Sequence, residues 1–193
     1  MQALAANNQT TTTTSKPCPT KPPRTGGRPA RAPSQTKRAN PNTHMFTEIS
    51  NSDRDYVPCL YLPSGAPDRL LIFFHGNGED LGMIYATCDR FRTELCLNVL
   101  AVEYPNYGVY EDPSGASEEK ILSDAELVYT FVQDVAKIEE SDIIVMGRSL
   151  GSGPASHLAA KYNPASLVLL SPLTSIKSVA SESVGFFSAL LAQ

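Results

Sequence analysis

A chain of 193 residues, 41% hydrophobic and 19% charged, is long enough for one packed domain plus a tail. The net charge of −4 is unevenly spread: residues 1–43 carry Lys16, Lys21, Arg24, Arg28, Arg31, Lys37 and Arg38 and no acid, which leaves 9 basic and 20 acidic residues for the rest. A body at −11 argues against nucleic acid as a partner, and no stretch is apolar for long enough to span a bilayer.

Residues 1–43 are low in complexity, with a threonine run from Thr10 to Thr14 followed by Pro, Arg, Lys and Gly. Almost nothing there can bury apolar surface, so a disordered basic tail is expected, with the folded domain over residues 44–193. Dispersed charge of this kind permits transient contact with a membrane surface but builds no binding patch. The start of the chain has no signal-peptide apolar run, and Gln2 breaks the N-myristoylation pattern. Cys18, Cys59, Cys88 and Cys96 form no C-x-x-C pair. No metal and no cofactor is therefore expected, and a cytoplasmic, reducing compartment is the default, with peripheral membrane contact as an option.

From Met45 the composition changes. Tyr56 to Leu62 reads as a short strand, and Pro58 and Pro63 mark it as an edge strand. Leu70 to Phe74 is a continuous apolar run, followed at helical spacing by Leu81, Ile84, Tyr85, Cys88, Phe91 and Leu95. Val99 to Val102 is the next run, and Ile121, Ala125, Val128, Phe131, Val132 and Val135 give a second amphipathic helix. Ile143 to Met146 is the third run, Leu150 to Tyr162 a third helix, and Leu167 to Leu170 a fourth run. Short apolar strands alternating with helices predict an α/β fold, a mostly parallel sheet covered on both faces. The last of these strands is apolar on both faces, so it belongs inside a sheet, yet no further strand follows it.

The third run leads into Gly147-Arg148-Ser149-Leu150-Gly151, a G-x-S-x-G between strand and helix. A nucleophile elbow needs this pattern for steric reasons. Gly147 and Gly151 let strand and helix approach, the turn pushes the Ser149 Oγ out at the carboxyl edge of the sheet, and the Leu150 amide can face an oxyanion. The bland reading is an ordinary Gly-rich turn. The first run ends in His75-Gly76-Asn77-Gly78, where a second oxyanion donor is sought, and the Asn77 amide is the candidate. An Asn-Gly turn entering a helix is the alternative.

No histidine is placed to take the proton of Ser149. His75 lies in the oxyanion loop, where imidazoles brace backbone. His157 is eight residues past Ser149 on a helix, about 12 Å along its axis, and His44 is in the tail. The strand after the elbow helix ends in Ser171-Pro172 without a carboxylate.

The phrases FFHGNGEDLG, VEYPNYG, GRSLGSGPA and LVLLSPLTSIKSVA, in that order, resemble the α/β-hydrolase fold. Within it they are most similar to the branch of the protein depalmitoylases and related S33-like serine aminopeptidases, over roughly Tyr56 to Gln193. The resemblance implies Ser149 as nucleophile, Asn77 and Leu150 as oxyanion hole, and a loop from Tyr104 to Gly108, with Tyr104 and Tyr107, at the site edge; a plain Pro/Asn/Gly turn is the alternative for that loop. It implies a small acyl ester or an acylated protein as substrate. Two family features have no counterpart in residues 1–193: the acid and histidine that follow the serine, and an N-terminal cysteine cluster. The expectation is a serine ester or thioester hydrolase represented by the N-terminal part of its domain. The alternatives are a non-catalytic hydrolase-like binding module, and a peptidase or lipid esterase of the same fold.

Overall fold

The computed structural model describes residues 45–50, 56–65 and 69–173. The tail at 1–43 and the segment after Leu173 lie outside the described residues, as does the expectation of disorder for that tail.

The described strands form one sheet in the order β1-β2-β4-β3-β5-β6, with β1 Met45–Ser50, β2 Tyr56–Leu62, β3 Leu70–Phe74, β4 Asn98–Val102, β5 Ile143–Arg148 and β6 Ser166–Leu170. The pairs β1/β2 and β2/β4 are antiparallel, and β4, β3, β5 and β6 run parallel. Every side chain of β3 is buried, as its unbroken apolar run requires of a strand covered on both faces. Its residues alternate between two cores: Leu70, Ile72 and Phe74 enter one, Leu71 and Phe73 the other.

Helix α1, Leu81–Glu94, covers one face with Leu81, Ile84 and Cys88. Asp80 caps it, accepting the Met83 amide at 2.8 Å. The other face is covered by α2, Glu118–Asp134, and α3, Ser152–Lys161. Ser117 caps α2 through the Lys120 amide, and Glu118 and Glu119 lie at the positive end of its dipole.

One sequence expectation changes here. Strand β2 is not an edge strand, because β1, which carries no clear sequence signal, pairs along its outer side. Pro58 fits an interior position by offering only its carbonyl, which accepts the Glu103 amide at 3.0 Å. Strand β6, which no further strand follows in the sequence, lies at the margin of the described sheet, with Leu167, Val168 and Leu170 exposed.

Across α2 and α3, Glu126 receives both Lys161 Nζ at 2.6 Å and His157 Nε2 at 2.7 Å. The Lys161 hydrogen bond first, and then that of His157, hold the Glu126 carboxyl below its usual range. A depressed carboxylate contributes stability above its unfolded pKa and loses it as pH falls through the folded one. As pH falls below about 4.5, the ordinary glutamate value, the urea midpoint of the native chain should therefore drop further than that of Glu126→Gln. The contribution is below about 1 kcal/mol, because the cluster is near the surface.

Candidate active site

Strands β3 and β5 are direct parallel neighbours, with Phe74 opposite Gly147. The two sequence motifs therefore leave the same carboxyl edge side by side. Ser149 follows β5 at φ +50°, a left-handed backbone that a non-glycine residue adopts only where its surroundings enforce it. A short 3-10 turn, Ser149–Gly151, leads into α3. The expected helix from Leu150 thus begins as this tighter turn.

The glycines are required by close approach. A Cβ on Gly147 would lie 2.2 Å from the Gly151 carbonyl oxygen, and one on Gly151 would lie 2.2 Å from that of Phe74. The elbow is thus packed against the end of β3 as well as against its own strand. Ser152, buried behind it, donates its hydroxyl to the Ser149 carbonyl at 2.5 Å and accepts the Leu173 amide at 3.1 Å.

The loop after β3 lies against the serine. A Cβ on Gly76 would be 3.7 Å from Ser149 Cβ. The Gly76 amide is already used, donating to Glu79 Oε2 at 2.9 Å. Glu79 also pairs with Arg148, the residue before the serine. The Asn77 side chain is fixed from outside, where the half-exposed Tyr107 donates its hydroxyl to Asn77 Oδ1 at 2.5 Å. Tyr104 is buried beneath the loop, and its hydroxyl donates to the His75 carbonyl at 2.8 Å. Burial, then the neighbouring Tyr107 and Glu103, raise the Tyr104 pKa, so it stays a neutral donor.

His75 is fully buried and committed. Its Nδ1 lies 3.0 Å from the Gly76 carbonyl oxygen and its Nε2 2.9 Å from Glu103 Oε1. Both ring nitrogens are turned to partners within the fold, so neither is directed at the Ser149 hydroxyl. Glu103 also accepts the Leu81 amide at 3.1 Å, at the start of α1, where the helix end favours negative charge. His157 is turned to Glu126 on α2. Among the described residues, neither histidine bonds Ser149.

Sequence reading missed Glu79, Arg148, Glu103 and Ser152. Glu103 left one trace, as a lone acid closing an otherwise apolar strand run.

The free thiols near the core are poor rival nucleophiles. Burial pushes the Cys88 thiol up to about 12, and raises Cys59 as well. A cavity of about 250 Å³ opens beside the elbow between α2 and α3, lined by Ile121, Leu122, Leu150 and Pro154 with Glu118 and His157. No group of side chains suited to a metal ion occurs among the described residues. None of their helices is long and apolar enough to cross a membrane.

No protein-family model matches the chain. In sequence it is 30% identical over 133 residues to the human alpha/beta hydrolase domain-containing protein 17B, covering 68% of this chain and 44% of that protein. It is 28% identical over 132 residues to the mouse alpha/beta hydrolase domain-containing protein 17C, covering 68% of this chain and 40% of the relative. The chain thus spans less than half the length of these relatives. In structure it is similar to the Pyrococcus furiosus esterase Pf2001, with a TM-score of 0.62 and 17% identity over 83% of this chain and 61% of that one. The thermophilic carboxylesterase EstE1, cloned from a metagenomic library, gives a TM-score of 0.56 and 16% identity over 71% of this chain and 49% of that one. Strand order and these structural likenesses give the chain an α/β-hydrolase fold, and in sequence it is similar to the alpha/beta hydrolase domain-containing 17 proteins.

Proposed function

We propose that the protein is a serine hydrolase of carboxylic esters or thioesters, with Ser149 as nucleophile. The observation that carries this reading is the pairing of β3 with β5. It sets a strained Ser149, at φ +50°, against the His75–Asn77 loop at one sheet edge. In the reaction, Oγ attacks the acyl carbon, the alcohol or thiol leaves, and water releases the acyl group from the serine. The developing oxyanion would be held by the Leu150 and Asn77 amides. Leu150 opens a helical turn, where amides lack partners within the helix, and Gly76, whose amide is taken by Glu79, is ruled out as the loop donor.

The resemblance to the depalmitoylase branch supports an acyl ester or an acylated protein as substrate, with palmitoyl thioesters as the first to try. The base and acid of such a reaction would come from outside the described residues, since both described histidines are otherwise engaged. A non-catalytic binding module is the competing reading, and covalent chemistry separates the two. A fluorophosphonate probe should modify Ser149, identified by peptide mass, and Ser149→Ala should abolish the adduct. Equal labelling of the two proteins would rule out Ser149 as nucleophile.

A further inference from the structure

Glu79 lies in neither the strand nor the helix that flank it, yet its carboxylate touches both motifs. One oxygen accepts the Gly76 amide at 2.9 Å, inside the oxyanion loop. The other pairs with the guanidinium of Arg148, the residue before the nucleophile. The three groups converge tightly. A Cβ on Gly76 would sit 3.2 Å from Glu79 Oε2, 3.6 Å from Arg148 Nε and 3.7 Å from Ser149 Cβ. Both charged side chains are partly screened from water, at 24% and 34% exposure, so their pairing is stronger than that of an open surface pair. The rest of the loop is held by neutral contacts to Tyr104 and Tyr107 and, from below, by His75 on Glu103. Among the described residues, Glu79 is the side chain whose hydrogen bond and ion pair join the loop to the elbow.

We infer that Glu79 and Arg148 are positioning residues, a strap that sets the distance between the oxyanion loop and Ser149. The inference rests on Ser149 being the nucleophile. The strap touches no substrate. It acts by directing the Gly76 amide away from the site and by holding the loop so that the next amide, that of Asn77, faces the serine. Displacement of a donor by about 1 Å is enough to cost up to about a hundredfold in rate.

The experiment uses the full chain at alkaline pH, where hydroxide takes the Ser149 proton and Oγ displaces fluoride from a fluorophosphonate probe. Glu79→Gln and Arg148→Met should each lower the labelling rate about tenfold. The double variant should fall no further, because both remove one shared link. Arg148→Lys, which keeps the charge, should recover most of the rate. Thermal midpoints report stability separately, and exchange of the Gly76 amide should remain slow in Glu79→Gln, whose side-chain oxygen still accepts it. Unchanged rates with lowered midpoints would make the pair purely structural and overturn the strap. Losses that multiply in the double variant would overturn the shared link. If native protein and Ser149→Ala label equally, the Ser149 reading itself fails and the strap falls with it.

Discussion

Gly151→Ala should be severely destabilising for a single added methyl, costing about 3 kcal/mol or more. Its Cβ would enter a space already held by the carbonyl oxygens of Phe74 and His75, at 2.2 and 2.8 Å. Both are backbone atoms, so no rotamer change relieves the overlap. The elbow must lift from β3, or β3 must shift in the centre of the sheet. A domain of this size has about 5–15 kcal/mol to lose in total. Gly147→Ala should behave similarly, since its Cβ would meet the Gly151 carbonyl at 2.2 Å. Gly153→Ala provides the contrast. Nothing lies within 4 Å of its Cβ, and the residue is in α3, so alanine should stabilise by up to about 1 kcal/mol. Urea midpoints of the three variants check this directly. A Gly151→Ala midpoint equal to the native one would mean that the elbow does not touch β3.

The second large effect concerns turnover. A serine without a base to take its proton is a weak nucleophile. Residues 1–193 should hydrolyse a p-nitrophenyl ester with no more than the residual acceleration of an oxyanion hole and binding, about 10³–10⁴ over water. A complete triad adds several further orders of magnitude. Added imidazole should then accelerate the Ser149-dependent part of the rate by acting as the diffusible base. The same titration on Ser149→Ala subtracts direct attack by imidazole on the ester. Rapid Ser149-dependent turnover without imidazole, and insensitive to it, would mean that a base is already in place.

The sequence made β3, β4, β5 and the three helices legible because each carries a strong periodic or continuous apolar signal. Strand β1 was not legible. Its pattern, MFTEIS, is short and mixed, and its place is decided by pairing with β2 rather than by any local preference. That one omission also put β2 at an edge. At the candidate site, the glycine spacing around Ser149 announced the turn, because the steric demand is local. Glu79, Arg148 and Glu103 were not legible as partners, because what gives each its place is a contact across the fold. Charge alone does not tell a surface acid such as Glu94 from one that braces a loop.

The strand order also bears on when the site can come into being. Phe74 and Gly147 are neighbours in space, but α1, β4 and α2 lie between them in the chain. As the polypeptide emerges, the His75–Asn77 loop is made early and then waits. Its partner edge arrives only after the whole intervening βα unit has been synthesised. Closing that long loop must precede any reward from the β3–β5 contact, so the central pairing belongs to the slow part of folding. Until then the apolar flank of β3 is open to other chains, and the nascent protein is most exposed to misassociation just before Ser149 leaves the ribosome.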